Sequence, residues 1–268
     1  MKLSNGVYEN IINNEILSEI NELTDSRAKR LRIDKDESPV ILTSYLSKLL
    51  KQKLEDNDSL EENVKLVNRL IQDFSDTEEN LISDNENFLA EVVSKQREAE
   101  QSASKSETAR PETGFLYSSL FTGRGSKIPL YSEIKKDIES SDEICFIISF
   151  LKLSGLNLIY EDLKKFCGQS GHKFRIITTT YCGITEPKAV QRIAELPNTE
   201  VRISYNTKKE CLHAKSYIFI RNSGCSTAYI GSSNLSKSAQ TEGLEWNIRV
   251  TNAENEHIIN AAKATFDT

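Results

Sequence analysis

Histidine is scarce, three residues in 268, so any imidazole chemistry must rest on very few positions. Cysteine is little commoner: Cys145, Cys167, Cys182, Cys211 and Cys225 are odd in number and form no Cys-x-x-Cys pair. Buried or idle thiols in a reducing compartment are the reading that fits. No apolar run reaches 18 residues, which excludes a membrane-spanning helix. Met1 to Gly6 leads into polar sequence rather than a signal-peptide core, so a cytoplasmic chain is expected. A hydrophobic content of 38% is enough for one large or two modest cores.

What is present falls into two halves. Residues 1–105 read as a helical accessory domain. Val7 to Leu23 carries a stripe of Ile11, Ile12, Ile16, Ile20 and Leu23. Pro39 opens a second helix with Ile41, Leu42, Tyr45, Leu46, Leu49, Leu50 and Leu54 on its buried side, Asn57-Asp58-Ser59 breaks it, and Leu60 to Phe74 returns antiparallel. Asn85 to Glu98 suggests one more helix. Residues 106–113 have no apolar rhythm and read as a linker. Residues 114–268 then alternate helix and strand: helix near Ile134–Ile138, strand Glu143–Phe150, helix Leu153–Cys167, strand His172–Tyr181, helix Pro187–Leu196, strand Val201–Tyr205 and a last helix Glu254–Phe266. That alternation predicts an α/β layered domain with a mixed β-sheet flanked by helices, preceded by a small all-α domain.

Charge divides at the same place. Residues 1–112 hold 15 Lys and Arg against 24 Asp and Glu, a net of −9, whereas residues 113–268 hold 19 against 16, a net of +3. A partner bound through its phosphates would meet the second half rather than the first.

The chemistry concentrates between Cys211 and Val250. Leu212 to Ile220 alternates as a strand, which places His213 and Lys215 on one face. Asn222-Ser223-Gly224 is a turn, Thr227 to Ile230 a returning strand, and Gly231-Ser232-Ser233-Asn234 closes it with small polar residues. A neutral imidazole at His213 can act as a nucleophile beside the Lys215 cation. Ser232 and Asn234, alternating onto one face, add neutral donors for phosphoryl oxygens, and Glu245 can orient an imidazole through its second nitrogen. Nothing in this set calls for a metal or another cofactor. His172 and His257 lack such companions and read as structural. Lys208, Lys209, Ser233 and Lys237 flank the motif as candidate nucleic-acid contacts.

These residues resemble the phospholipase D superfamily, whose motif runs His-x-Lys, four residues, Asp, then Gly-Ser-x-Asn. Here it reads His213-Ala214-Lys215 and Gly231-Ser232-Ser233-Asn234, with Glu245 eleven residues beyond Asn234. Where the family has Asp this chain has Ile220, on the opposite strand face from His213; the family's Asp is taken to be chiefly structural. The wording from Thr227 to Asn247 is similar to the phospholipase-D-like domains at the N-termini of bacterial superfamily II helicases, and the likeness spans roughly residues 113 to 268.

The resemblance implies a metal-independent nuclease working through a phosphohistidine intermediate. It also implies a second His-x-Lys unit, of which this chain has none, and hence a homodimer with a shared site. The expected partners are nucleic acid, DNA rather than RNA, and a C-terminal helicase motor beyond Thr268, as in a restriction or phage-defence protein, with no membrane. The alternative is a catalytically silent module for nucleic-acid binding and dimerisation.

Overall fold

The computed structural model describes residues 3–84, 87–92, 110–123, 128–206, 211–241 and 243–267. The chain divides into two compact units, residues 1–94 and 95–268.

The first unit is helical. Helix α1 spans Asn14–Asn21, α2 Ser38–Glu55 and α3 Leu60–Phe74. The first helix is shorter than the apolar stripe predicts because the Asn13 side chain accepts the Ile16 N–H at 2.9 Å, which caps the helix there rather than continuing it upstream. Asn13 also donates to the Tyr45 hydroxyl at 3.2 Å, tying α1 to α2. Pro39 opens α2, and Ser59 caps α3 by accepting the Glu62 N–H at 3.3 Å. Only part of the α2 stripe is covered: Ile41, Tyr45, Leu50 and Leu54 are half-buried, whereas Leu42, Leu46 and Leu49 are exposed. Of the helix expected over Asn85–Glu98, residues 87–92 are not helical, and the remainder lies outside the described residues.

The second unit is built on a seven-stranded mixed sheet. In chain order its elements are β1 Ser119–Phe121, α4 Leu130–Glu139, β2 Glu143–Ile148, α5 Leu153–Cys167, β3 Lys173–Thr179, α6 Pro187–Ala194, β4 Thr199–Ser204, β5 Lys215–Ile220, β6 Thr227–Gly231, α7 Lys237–Thr241, β7 Asn247–Thr251 and α8 Asn252–Asp267. The strands lie in the order β1-β7-β6-β5-β2-β3-β4. β2, β3 and β4 are parallel; β2 to β5, β5 to β6, β6 to β7 and β7 to β1 are antiparallel. Glu143–Ile148 is apolar at nearly every position because β2 is central and covered on both faces.

One face packs Ile144, Phe146, Ile148, Tyr217, Phe219 and Tyr229 under α4, α5 and α6. The opposite face packs Cys145, Ile147, Ile218, Ala228 and Val250 against Ile259 and Phe266 of α8. Two elements escape the sequence pattern, β1 and α7, each too short to show a period. Of the expected linker, residues 106–109 lie outside the described residues. Beyond them, the N–H groups of Glu112 and Thr113 donate to the buried Glu133 carboxylate at 2.9 and 3.1 Å, so this end is fixed to α4.

Candidate active site

Strand register determines which segments meet. Ile148 lies opposite Lys215, Ser216 opposite Ile230, and Gly231 opposite Asn247. The carboxyl ends of β2 and β6 and the amino ends of β5 and β7 therefore share one end of the sheet. Phe150, His213, the Gly231–Asn234 turn and Glu245 are the residues just outside those four ends.

His213 lies ahead of β5 rather than within it, and it is exposed. The approach is held by Ser149, whose N–H and hydroxyl both donate to the Ala214 carbonyl, at 3.2 and 3.0 Å. Lys215, first residue of the strand, is buried. Its ammonium donates to the His213 carbonyl at 2.8 Å and stands 3.0 Å from Nδ1 and 3.1 Å from Nε2 of the same imidazole. The ring of Phe150 meets His213 edge-on, with centroids 5.9 Å apart. Burial pushes the Lys215 ammonium below the ordinary lysine range, and the charge of Glu245 opposes that fall.

The Gly-Ser-Ser-Asn turn is fixed by β7. A side chain at Gly231 would come within 2.1 Å of the Trp246 carbonyl, so only glycine lets the two backbones cross there. The Ser232 N–H donates to that carbonyl at 3.0 Å, and the Trp246 N–H donates to the Ser232 hydroxyl at 3.0 Å. The Ser232 hydroxyl in turn donates to the Glu245 carboxylate. Asn234 accepts the Phe150 N–H through Oδ1 at 3.0 Å, so it braces the aromatic ring that meets His213. Gly155 on α5 permits an equally close approach behind the turn, since a side chain there would lie 2.3 Å from the Leu235 backbone.

The five residues singled out for catalysis thus lie at one end of the sheet, with two changes of relation. Glu245 hydrogen-bonds Ser232 rather than His213, and reaches Lys215 through its charge. Asn234 faces Phe150 rather than sharing a face with Ser232, because the chain leaves the strand after Gly231 and period-two alternation stops there. Ser233, expected as a nucleic-acid contact, is fully buried; its hydroxyl accepts the Asn247 amide at 2.7 Å, which withdraws it from any surface role. Lys237 is exposed at the start of α7, whereas Lys208 and Lys209 lie outside the described residues.

Ile220 packs against the cluster under α8 at the far end of β5, roughly 17 Å along the strand from Lys215. No side chain at that position reaches His213. Phe150, Ser149 and Gln240 were not legible as neighbours of the site: each is a single uncharged residue, the first two placed by strand register and Gln240 by the packing of α7. Gln240 donates to the Tyr217 hydroxyl at 2.9 Å and the Asn234 carbonyl at 3.2 Å. Among the described residues no three His, Cys, Asp or Glu side chains gather as metal ligands would.

The family model described as "Cardiolipin synthase, PLD-like domain" matches residues 134–268, a stretch that contains every one of these side chains. No curated protein sequence matches the chain. Among solved structures, NucT from Helicobacter pylori aligns with a TM-score of 0.46 at 19% identity over 56% of this chain and 93% of that one. The phospholipase D family member Nuc from Salmonella typhimurium aligns with a TM-score of 0.41 at 16% identity over the same shares, 56% and 93%.

Proposed function

Since the chain belongs to the phospholipase-D-like family, we propose that it is a metal-independent phosphodiesterase that cleaves nucleic acid with His213 as nucleophile. The observation that carries this reading is the Lys215 ammonium held within 3.1 Å of both nitrogens of an exposed imidazole. A phosphoryl oxygen arriving at His213 takes the ring nitrogen's place as an acceptor for that ammonium, which neutralises the charge gathering on phosphorus. The amide of Asn234 supplies a neutral donor beside it, as does Ser232 once its hydroxyl turns from the Glu245 carboxylate to the phosphate.

The reaction runs in two displacements. An imidazole nitrogen of His213 forms a bond to phosphorus while the bond to the leaving oxygen breaks, and a second imidazolium protonates that oxygen. The second imidazole then takes a proton from water, the water oxygen bonds to phosphorus, and the nitrogen–phosphorus bond breaks. With one His-x-Lys per chain, the second imidazole is His213 of another copy in a homodimer. Residues 114–268 form the catalytic domain and residues 1–105 an accessory helical domain. The net charge of +3 over residues 113–268 supports a polyanionic substrate, with Lys208, Lys209 and Lys237 on its backbone; DNA rather than RNA is the substrate in this reading. The wording from Thr227 to Asn247 supports a place beside a helicase motor in a restriction or defence protein.

Cleavage of labelled single- and double-stranded DNA and of RNA, measured in excess EDTA with wild type beside His213→Ala, tests the proposal. Cleavage that survives the chelator and is lost in the variant is expected. Full activity in His213→Ala contradicts it.

A further inference from the structure

Three neighbouring strands are each followed by an aromatic residue. β2, β3 and β4 run parallel side by side, so their carboxyl ends all lie at the end of the sheet that carries His213. Phe150 stands two residues past β2, Tyr181 two past β3 and Tyr205 one past β4. The Thr180 N–H donates to the Ser204 carbonyl at 3.1 Å, which holds the ends of β3 and β4 at one level. Phe150 meets the His213 ring edge-on, so the row starts at the imidazole and runs away from it across three strand spacings, about 14 Å. Tyr205 is 73% exposed, Phe150 and Tyr181 are half-buried, and none of the three belongs to either core cluster.

We propose that Phe150, Tyr181 and Tyr205 form a track on which the bases of an unpaired DNA strand stack as one of its phosphates reaches His213. The inference rests on the phosphodiesterase reading given above and assigns the form of its substrate, a single strand rather than a duplex. A base offers its ring face to a side chain only when it is not already stacked within a duplex. Spacing argues the same way. The strand ends are set about 4.8 Å apart, wider than the about 3.4 Å between nucleotides along one strand of a duplex. An unpaired strand can stretch to match that row, and a duplex cannot. Cations for its backbone stand beside the track where the covering helices begin: Lys152 immediately precedes α5, and Lys188 is exposed in the first turn of α6. The neighbouring Glu186 accepts the Leu153 N–H at 2.9 Å, so its carboxylate faces the helix end.

The experiment is fluorescence anisotropy of a labelled 12-nucleotide DNA strand of mixed sequence, free and as its duplex, titrated with the full chain. His213→Ala is the background throughout, so that binding is read without cleavage; Tyr205→Ala, Tyr205→Phe and Tyr181→Ala are added to it, with circular dichroism to check the fold. The single strand should bind at least about tenfold more tightly than the duplex. Tyr205→Ala and Tyr181→Ala should each weaken single-strand binding by about fivefold or more, the loss of one stacked base, and leave duplex binding unchanged. Tyr205→Phe, which keeps the ring face, should bind as its parent does. A duplex bound as tightly as the single strand, a folded Tyr205→Ala protein that binds like its parent, or a Tyr205→Phe protein as weak as Tyr205→Ala overturns the track. Cleavage by wild type separates this proposal from the reading beneath it. A single strand bound through the tyrosines but left intact overturns the phosphodiesterase and keeps the track. Cutting of single strand and duplex at equal rates, lost in His213→Ala, overturns the track and keeps the phosphodiesterase.

Discussion

Lys215 must be charged to meet a phosphate, yet its burial favours the neutral amine, and the carboxylate of Glu245 is the group that works against that. Removing the Glu245 charge therefore lowers the Lys215 pKa further. In Glu245→Gln the loss of cleavage on the alkaline side should set in at a lower pH than in wild type, which a pH–rate profile will read. An unchanged alkaline limb would mean that Lys215 does not titrate in the reaction. Lys215→Met should lose cleavage by at least about a hundredfold, in line with the removal of one charged donor from a transition state. That His213, Lys215, Ser232, Asn234 and Glu245 would come to one end of the sheet was legible in the strand-turn-strand pattern, although the strands stop short of His213 and Ser232. Carrying the alternation past Gly231, where the strand stops, put Ser232 and Asn234 on one face, and the burial of Ser233 was not visible in that pattern. Phe150 was invisible for a different reason: its contact with His213 exists only through the β2–β5 pairing.

Among the elements, α4 holds a buried carboxylate. Asp137 is fully buried and accepts hydrogen bonds from Arg221 at 2.6 Å, the Tyr229 hydroxyl at 2.6 Å and the Thr227 hydroxyl at 3.0 Å. Arg221 sits one residue past Ile220, so the end of β5 that lacks the family's Asp is tied down by a carboxylate from another helix. Asp137→Ala leaves two buried guanidinium groups, Arg221 and Arg249, without their counter-charge, and a loss of about 3–5 kcal/mol in denaturant unfolding is expected. Glu133, one turn earlier, has burial working to raise its pKa, but hydrogen bonds from Thr113 and the N–H groups of Glu112 and Thr113 hold it below the usual carboxylate range. A depressed folded pKa contributes stability above the unfolded value that is lost as pH falls. Glu133→Gln should therefore melt below wild type at neutral pH, with the gap closing in acid; a gap independent of pH would contradict this. The sequence made α5 legible to the residue, since Leu153–Cys167 has a full amphipathic period. It hid β1, whose three residues cannot show an alternation.

For the whole molecule, the mixed layered fold was readable from the alternation of helix and strand patterns in the second half of the chain. The coverage of α2 was not: its stripe of seven apolar residues predicts a buried side, and Leu42, Leu46 and Leu49 are left exposed. Thiol reactivity follows the same division between inside and outside. Burial pushes the Cys145 thiol up to about 12, and Cys167 is raised for the same reason, while Cys182 and Cys225 are exposed. Native alkylation should label Cys182 and Cys225 first and Cys145 and Cys167 only after denaturation.

The most direct measurement of the central claim is covalent. DNA carrying a label on the scissile phosphate is mixed with the protein in EDTA, the reaction is stopped in alkali within a turnover, and the peptides are mapped by mass spectrometry. The account predicts a phosphorylated peptide containing His213, its modification stable to base, released by acid and absent from His213→Ala. Cleavage with no adduct on His213, or an adduct that persists when His213 is removed, would contradict it.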